Sequence, residues 1–329
     1  MKRLLLAVVS MLFAATIFAQ NGLVASLSHG TDITYFYGVN ALKDAVAVAE
    51  SGDIINLSDG SFNATDITKA IILRGAGIDS KEPTYIVNNF TIEIPAEDTN
   101  QFTMEGIKCS NTMATKGTFA NPYFLKCQFN VVSNAAESDA VTNIMFVNCK
   151  IIGNINVGAN DSYYFVNCYV KDIAHYQNAS LTATNCIINS IAAGLTQSEW
   201  YNCIFYTSRY TEGGFPNDVK CMNCYSLAYG PSGYAYGIFR GPSCINCKEF
   251  PTWESMFKSF KGKYTDEETF ELTDEAKAEY IGNDEKESGL YGGLQPYNST
   301  PSYPLITTMT VDKQTTTDGK LGVTIEVSK

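Results

Sequence analysis

Four charged residues in the later half of the chain are the first candidates for chemistry: Arg209, Asp218, Lys220 and Arg240. A base beside a cation can abstract a proton next to a carboxylate and stabilise the enolate-like intermediate, which is the chemistry of a polysaccharide lyase. The three basic side chains converge only if the chain stacks in turns of about 20 residues. The alternative, which the sequence favours, is that they are ordinary solvated charges.

His175, in the stretch DIAHYQN, is a further candidate for a general base. The chain contains only two histidines, so a metal site or a mechanism built on paired histidines is not expected. We interpret His175 as an exposed or hydrogen-bonded side chain rather than as a catalytic base.

Two closely spaced cysteine pairs, Cys221/Cys224 and Cys244/Cys247, form a CxxC…CxxC pattern. In isolation this spacing is typical of a zinc site. Here both pairs continue a longer repeat, so we interpret them as structural thiols and predict no metal site. A disulfide among neighbours and a zinc ion remain the alternatives, and the redox state of these four cysteines stays open.

The repeat is the dipeptide Asn-Cys within an apolar stretch, as in FVNCKI at 146–151 and FVNCYV at 165–170. Because a period of about 20 residues is too short for a helical repeat unit, each repeat is expected to be one turn of a β-solenoid. The recurring residues are Asn148, Asn167, Asn185, Asn202, Asn223 and Asn246, with Cys127, Cys149, Cys168, Cys186, Cys203, Cys224 and Cys247.

Within each turn, asparagine is predicted to form a corner and cysteine to begin the next strand. Asparagine tolerates the left-handed backbone that a tight corner needs, and its amide can bond the next amide in a stack. Cysteine acts as a small inward hydrophobe. The residue three places before each cysteine, such as Phe146 or Phe165, should also point inward.

The segments at 40–63 (NALKDAVAVAESGDIINLSDGSFN), 66–77 and 270–293 resemble the pectin-lyase-like superfamily of right-handed parallel β-helices. The first resembles that superfamily's N-terminal unit, in which a helix caps the open end of the stack. The resemblance implies an all-β, right-handed parallel β-helix over 30–293 with an N-terminal capping helix. Residues 294–329 form a tail in which two strand-like stretches predict a C-terminal strand pair or hairpin.

Known enzymes of this superfamily imply what an active site would contain. Lyases of this fold use clustered acids for calcium with an Arg or Lys base, whereas hydrolases and esterases use close aspartates. The turns from 100 to 250 are poor in charge and contain no Asp-Asp pair. We therefore expect no cofactor, with calcium entering only under the lyase alternative.

Tyrosines crowd the middle and late turns, and their amphipathic rings suit the faces of sugars. On a solenoid, exposed rings would form a long platform, so the favoured function is non-catalytic binding of a polysaccharide or other surface glycan. The alternatives are a lyase acting on acidic glycans and a structural or adhesive solenoid. The candidate ligand-binding residues are Tyr206, Tyr210, Tyr229 and Tyr234.

The first residues, MKRLLLAVVSMLFAATIFAQ, have the basic start, apolar run and small residue of a secretory signal peptide, assigned to 1–19. No later apolar run predicts a transmembrane segment, so we expect an exported protein that is periplasmic, cell-surface or extracellular. The net charge of −11 argues against nucleic-acid binding. The oligomeric state is left open.

Overall fold

The computed structural model describes residues 22–119, 121–134, 141–158, 160–175, 179–191, 197–206, 219–228, 239, 243–311 and 323–328. The predicted signal peptide, 1–19, lies outside the described residues.

Two long sheets, with the chain winding between them, build a parallel β-solenoid. Sheet 1 has twelve strands, in the spatial order β2 (Asp32–Tyr37), β1 (Val24–His29), β3 (Ile54–Leu57), β5 (Ile72–Arg74), β8 (Thr103–Glu105), β10 (Tyr123–Leu125), β12 (Ile144–Val147), β14 (Ser162–Val166), β16 (Ser180–Thr184), β18 (Ser198–Tyr201), β20 (Lys220–Met222) and β22 (Cys244–Ile245). Apart from the N-terminal pairs of β1 with β2 and β3, its strands run parallel.

In the described part of the chain, sheet 2 has eleven strands, one of which, β7 (Phe90–Ile92), joins it by pairing with β9. Its main path is β4 (Gly60–Asn63), β6 (Thr84–Val87), β9 (Ile107–Thr115), β11 (Gln128–Asn134), β13 (Lys150–Val157), β15 (Tyr169–His175), β17 (Ile187–Ile191), β19 (Ile204–Phe205), β21 (Tyr225–Leu227) and β23 (Lys248–Phe250). From β10 onward successive strands alternate between the two sheets, so each turn contributes one strand to each. The predicted all-β solenoid is confirmed.

A row of inward side chains on sheet 1 forms the centre of the core. Phe124, Phe146 and Phe165 pair in direct register and are buried. The ring centroids of Phe124 and Phe146 lie 4.8 Å apart, and those of Phe146 and Phe165 lie 5.4 Å apart. Ala183, Trp200 and Cys221 continue the same row on the following turns. The prediction that the residue three places before each repeat cysteine faces inward is thus confirmed for these turns.

The asparagine of each repeat is the corner between the two sheets. All six have left-handed backbones, with φ between 49° at Asn167 and 55° at Asn185 and Asn202. The corners stack through the main chain, since the Asn148 N–H donates to the Val166 carbonyl at 3.0 Å and later corners repeat the bond. Lys126, with φ of 53°, takes the same position one turn earlier.

The cysteine after each corner is buried beneath it, and its thiol contacts the corner's backbone. Cys149 Sγ lies 3.4 Å from the Val147 carbonyl and accepts from the Cys127 N–H at 3.4 Å. The thiols under the neighbouring corners repeat these contacts. The predicted inward, buried position is confirmed for Cys127, Cys149, Cys168, Cys186, Cys203 and Cys224, whereas Cys247 is only partly buried.

All ten cysteines lie in the described part of the chain, and none of them forms a disulfide. Among the described residues, no group of three or more potential ligand side chains is arranged to hold a metal ion.

At two corners the asparagine amide bonds the C-terminal part of the chain instead of the amide of the next corner, so the predicted bonding within the stack is wrong for Asn167 and Asn202. Asn167 Nδ2 donates to the carbonyls of Leu290 and Gly292 at 2.7 and 2.9 Å. Asn202 Nδ2 donates to Asn283 Oδ1 at 2.9 Å, and the Asn283 N–H donates back to Asn202 Oδ1 at 3.0 Å. These asparagines are therefore docking points for a covering segment.

That covering segment, residues 281–303, is named the strap. The strap runs along the corners from the late turns to the early turns: its first residues contact the corner at Asn202, and its last residues contact the turns of Glu105 and Gly75. After the asparagine contacts, Ser302 N–H donates to Glu105 Oε1 at 2.5 Å, and the Tyr303 hydroxyl donates to the Gly75 carbonyl. Lys126 Nζ also donates to the strap, at the Thr300 carbonyl, at a distance of 2.5 Å.

A short helix covers the N-terminal end of the solenoid. Helix α1 (Ala41–Val48) buries Ala41, Leu42, Ala45 and Val46 at the N-terminal end, as the predicted capping helix should. It ends because Ala49 is extended, and Gly52, with φ of 92°, turns the chain into β3. The C-terminal part contains α2 (Trp253–Met256), α3 (Asp274–Glu279) and the predicted antiparallel strand pair, β24 (Leu305–Val311) with β25 (Val323–Ser328).

Replacing Asn167 with Ala should destabilise the protein more than the same change at Asn246. Both backbones are left-handed, so each alanine pays the conformational cost of about 1–2 kcal/mol. Asn167 also loses two bonds to the strap, worth about 1 kcal/mol each. Denaturant unfolding should show the larger loss for Asn167→Ala, and Asn167→Gly should recover only the backbone part. Equal losses at the two corners would contradict the docking role.

The unfolding free energy should fall as the pH rises from about 8 to about 10.5. Burial raises the pKa of Cys127 to about 12 and raises the pKa values of Cys149, Cys186 and Cys203 well above their ordinary range. These four thiols ionise near pH 8.5 in the unfolded chain and stay protonated in the folded protein, so the stability that they contribute below that pH is lost above it. Urea unfolding at several pH values measures this.

A thiol-reactive dye at pH 8 provides the control for that series. The buried thiols should react only after denaturant is added, when ten should be counted. Rapid reaction of most thiols in the native protein, or an unchanged unfolding free energy at pH 10.5, would contradict burial beneath the corners.

Candidate functional site

The outer face of sheet 1 carries a row of partly exposed apolar side chains. Because Phe124, Phe146 and Phe165 point into the core, the preceding residue of each strand points outward. These residues are Tyr123, Met145 and Tyr164, which pair in direct register on adjacent strands. We name them the aromatic row.

A second, polar row runs beside the aromatic row. Gln101, Asn121 and Asn143 each stand two residues before the outward residue of their strand, on three adjacent turns. Asn143 Nδ2 donates to Asn121 Oδ1 at 3.0 Å, and Gln101 Nε2 donates to the Asn121 carbonyl at 3.2 Å. We name these three residues the amide row.

Between the rows and the loop before β8 lies a groove of about 530 Å³. Phe119 and Met145 supply its apolar lining, and the amide row, with Asn100, supplies donors and acceptors. Asp98 also lines the groove, but its carboxylate accepts from Ser51 Oγ at 2.6 Å and from the Ala70 N–H at 3.0 Å. The groove thus combines an apolar lining with polar groups that are uncharged apart from Asp98, a combination suited to a sugar ring.

Further along the same face, Glu199 and Lys220 occupy the outward positions that are in register with Tyr164 of the aromatic row. Lys220 Nζ lies 2.6 Å from Glu199 Oε1, and the Tyr201 hydroxyl donates to Glu199 Oε2 at 2.8 Å. The hydrogen bond from Lys220 lowers the pKa of Glu199, and the same bond raises the pKa of Lys220. Lys220 is therefore held protonated at neutral pH, which makes it a poor general base.

Five of the sequence-predicted candidates lie outside the described residues: Arg209, Arg240, Tyr210, Tyr229 and Tyr234. The convergence of the two arginines with Lys220 therefore stays a prediction. The backbone of His175 ends β15, and its side chain also lies outside the described part of the chain.

The expectation that Tyr206 presents an exposed ring is wrong. Its side chain is 3% exposed. Its hydroxyl lies 2.7 Å from that of Tyr169, and its carbonyl accepts from Trp253 Nε1 at 2.8 Å. The segment after β23 covers this part of sheet 2, so Tyr206 packs in a second apolar cluster with Phe260 and Phe270.

Sequence reasoning did not single out Tyr123, Asn121 or Asn143, although the repeat contains the signal. The aromatic row stands four places before the repeat cysteine, and Asn121 and Asn143 of the amide row stand six places before it. Both positions share a parity opposite to the inward phenylalanine three places before the cysteine, so they point outward. Examining the outward-facing positions of the repeat, as well as the inward-facing ones, would have identified both rows.

No protein family model, no curated protein and no solved structure matches the chain. Within the described ranges, no helix has the length and apolar character needed to cross a membrane.

Removing the lysine partner should raise the pKa of Glu199. In the native protein the Glu199 carboxyl should titrate below the ordinary glutamate value of about 4.3. Carbon-detected NMR of the side-chain carboxyl should show the midpoint move upward in Lys220→Met. Tyr201→Phe should cause a smaller upward shift, because the hydrogen bond from Lys220 is the larger cause. An unshifted midpoint in Lys220→Met would mean that the pair does not persist in solution.

Proposed function

We propose that the protein binds an extended polysaccharide along the outer face of sheet 1. The observation that carries the proposal is the aromatic row lying beside the amide row, with a groove between these rows and the loop before β8. Tyrosine rings offer apolar faces to sugar rings, while amides can donate to and accept from sugar hydroxyls.

The spacing of the rings suits a regular polymer. Adjacent parallel strands lie about 4.8 Å apart, so Tyr123 and Tyr164, which are separated by one strand, lie about 10 Å apart. This separation is comparable to one disaccharide of an extended glycan. A chain running along the solenoid axis would therefore place alternate sugars over the two rings, with Met145 between them.

The same proposal includes membership of the pectin-lyase-like superfamily and export from the cytoplasm. The capping helix α1 and the stacked parallel turns support the first. The apolar start of the chain, with its two basic residues and its small residue before Gln20, supports the second. A periplasmic, cell-surface or extracellular location would bring the protein to polysaccharides.

Replacing Tyr164 with Ala should weaken polysaccharide binding about tenfold, because one ring contact is lost. Affinity electrophoresis against a panel of neutral and acidic polysaccharides identifies a ligand, and isothermal titration with an oligosaccharide of that ligand measures the change. Tyr85→Ala is the matched control, since Tyr85 is also partly exposed but lies on sheet 2. Asn143→Ala should also weaken binding, through the amide row.

Absorbance of an unsaturated product is followed in the same incubations. Binding that falls in Tyr164→Ala but not in Tyr85→Ala, without product, supports a binding protein. Steady product formation that is lost in Arg209→Ala or Arg240→Ala would establish the lyase alternative instead. The proposed site would be overturned if no polysaccharide were retained, or if Tyr164→Ala and Tyr85→Ala weakened polysaccharide binding equally.

A further inference from the structure

Two cysteines stand next to each other at the end of the inward row of sheet 1 that contains Phe165. Cys221 on β20 and Cys244 on β22 pair in direct register on adjacent parallel strands. On earlier turns, large side chains such as Phe165 and Trp200 fill much of this row. The row thus places two small thiols side by side at the late end of the core. We name Cys221 and Cys244 the thiol pair.

The backbone holds the thiol pair at a separation that suits a disulfide. The Cys221 N–H donates to the Ser243 carbonyl, and the Asn223 N–H donates to the Ile245 carbonyl, both at 3.0 Å. The two strands are therefore fixed on both sides of the pair. Adjacent parallel strands lie about 4.8 Å apart, which is within the Cα separation of about 4.4–6.8 Å found in disulfides. A bond between the two sulfurs would need rotation of the side chains without movement of the backbone.

The corner cysteines of the same two turns, Cys224 and Cys247, already serve the backbone. Cys224 Sγ lies 3.3 Å from the Trp200 carbonyl, and Cys247 Sγ lies 3.5 Å from the carbonyl two residues before it. The thiol of Cys221 instead contacts other thiols, because hydrogen bonds with Cys224 and then Cys244 raise the pKa of Cys221. A disulfide between the corner cysteines would remove thiol contacts with corner carbonyls, whereas one within the thiol pair would leave them intact.

The two members of the thiol pair differ in exposure. Cys244 is only partly buried, whereas Cys221 is 1% exposed. A dissolved oxidant therefore meets Cys244 first, and Cys221, whose raised pKa keeps it protonated, is placed to react second. An accessible cysteine next to a second thiol is the usual arrangement of redox-sensitive cysteines.

We propose that the thiol pair is a redox modification site, which a low-molecular-weight disulfide oxidises to a Cys221–Cys244 disulfide. The Cys244 thiolate attacks one sulfur of the oxidant, forms a mixed disulfide and releases one thiol. The Cys221 thiolate then attacks Cys244 Sγ and releases the second thiol. Two electrons pass from the protein to the oxidant, and the two protons from the cysteines end on the two released thiols. This site does not depend on polysaccharide binding at sheet 1.

The disulfide would join the last turn of the solenoid to the turn before it. The last turn is exposed to solvent at its corner, where Ile245 is 51% exposed and Asn246 is also exposed. A covalent link to the preceding turn reduces the freedom that this turn gains when it unfolds. The proposed export would bring the protein to a compartment in which disulfides form and persist.

Oxidised glutathione is the probe that tests the site on the full chain. The protein is purified with reductant, freed of it, incubated with the probe at pH 8 and quenched with acid. Alkylation and peptide mass mapping without reduction should show a Cys221–Cys244 link, with the other eight of the ten cysteines alkylated. The oxidised protein should melt about 5 °C above the reduced protein, as expected for a cross-link between turns.

Single variants separate the order of attack from simple accessibility. Cys221→Ala should stop the reaction at the mixed disulfide, so that Cys244 carries one glutathione. Cys244→Ala should leave Cys221 unmodified. Cys247→Ala is the matched control, because Cys247 is partly buried on the same turn but lies outside the thiol pair, and the link should still form. The link should also form in Tyr164→Ala, so this site and the sheet 1 site fail or succeed separately.

Three outcomes would overturn the inference. They are no link after oxidation, a link that joins other cysteines, such as Cys224 with Cys247, and zinc held by the four late thiols in the purified protein. Equal melting temperatures of the oxidised and reduced forms would remove the stabilising role assigned to the disulfide.

Discussion

Everything in this molecule depends on how the chain turns its corner between the two sheets without leaving backbone groups unpaired in the core. A left-handed residue makes the turn in one step, and asparagine tolerates that backbone better than most residues. The turn directs the next N–H toward the interior. The cysteine thiol of the following turn accepts from that N–H, as Cys149 does from Cys127, while lying close to a corner carbonyl. A larger hydrophobe has no such acceptor, and alanine would leave the N–H unpaired.

The corner also determines the register of the whole stack. When one residue is held in the same conformation at each turn, residues at a constant distance from it must stack on each other. This is why a phenylalanine row fills the core, and why the aromatic and amide rows align on the outer face. The candidate binding face is therefore a consequence of the corner, since a shift of one residue at one turn would send Tyr164 inward. Because they stack in register, side chains on adjacent turns can contact successive units of a repeating polymer.

The parts that sequence could predict are those encoded locally in every repeat. The corner at Asn148 and the buried thiol at Cys149 could be read from spacing alone, and so could the capping helix from its apolar face. The strap could not, because Asn167 binds main-chain carbonyls more than 120 positions away, and a carbonyl has no residue signature. Tyr206 was misplaced for the same reason. Its cover comes from Trp253 and Phe260, outside the repeat, so only tertiary structure could reveal its burial.

The distribution of charge bears on which glycans each face can accept. The chain is strongly acidic, at −11, so an acidic polysaccharide would be repelled unless cations concentrate at its site. On the described outer face of sheet 1, Lys220 is already paired with Glu199, and the groove beside the amide row offers uncharged donors and acceptors. That combination favours a neutral polymer along sheet 1.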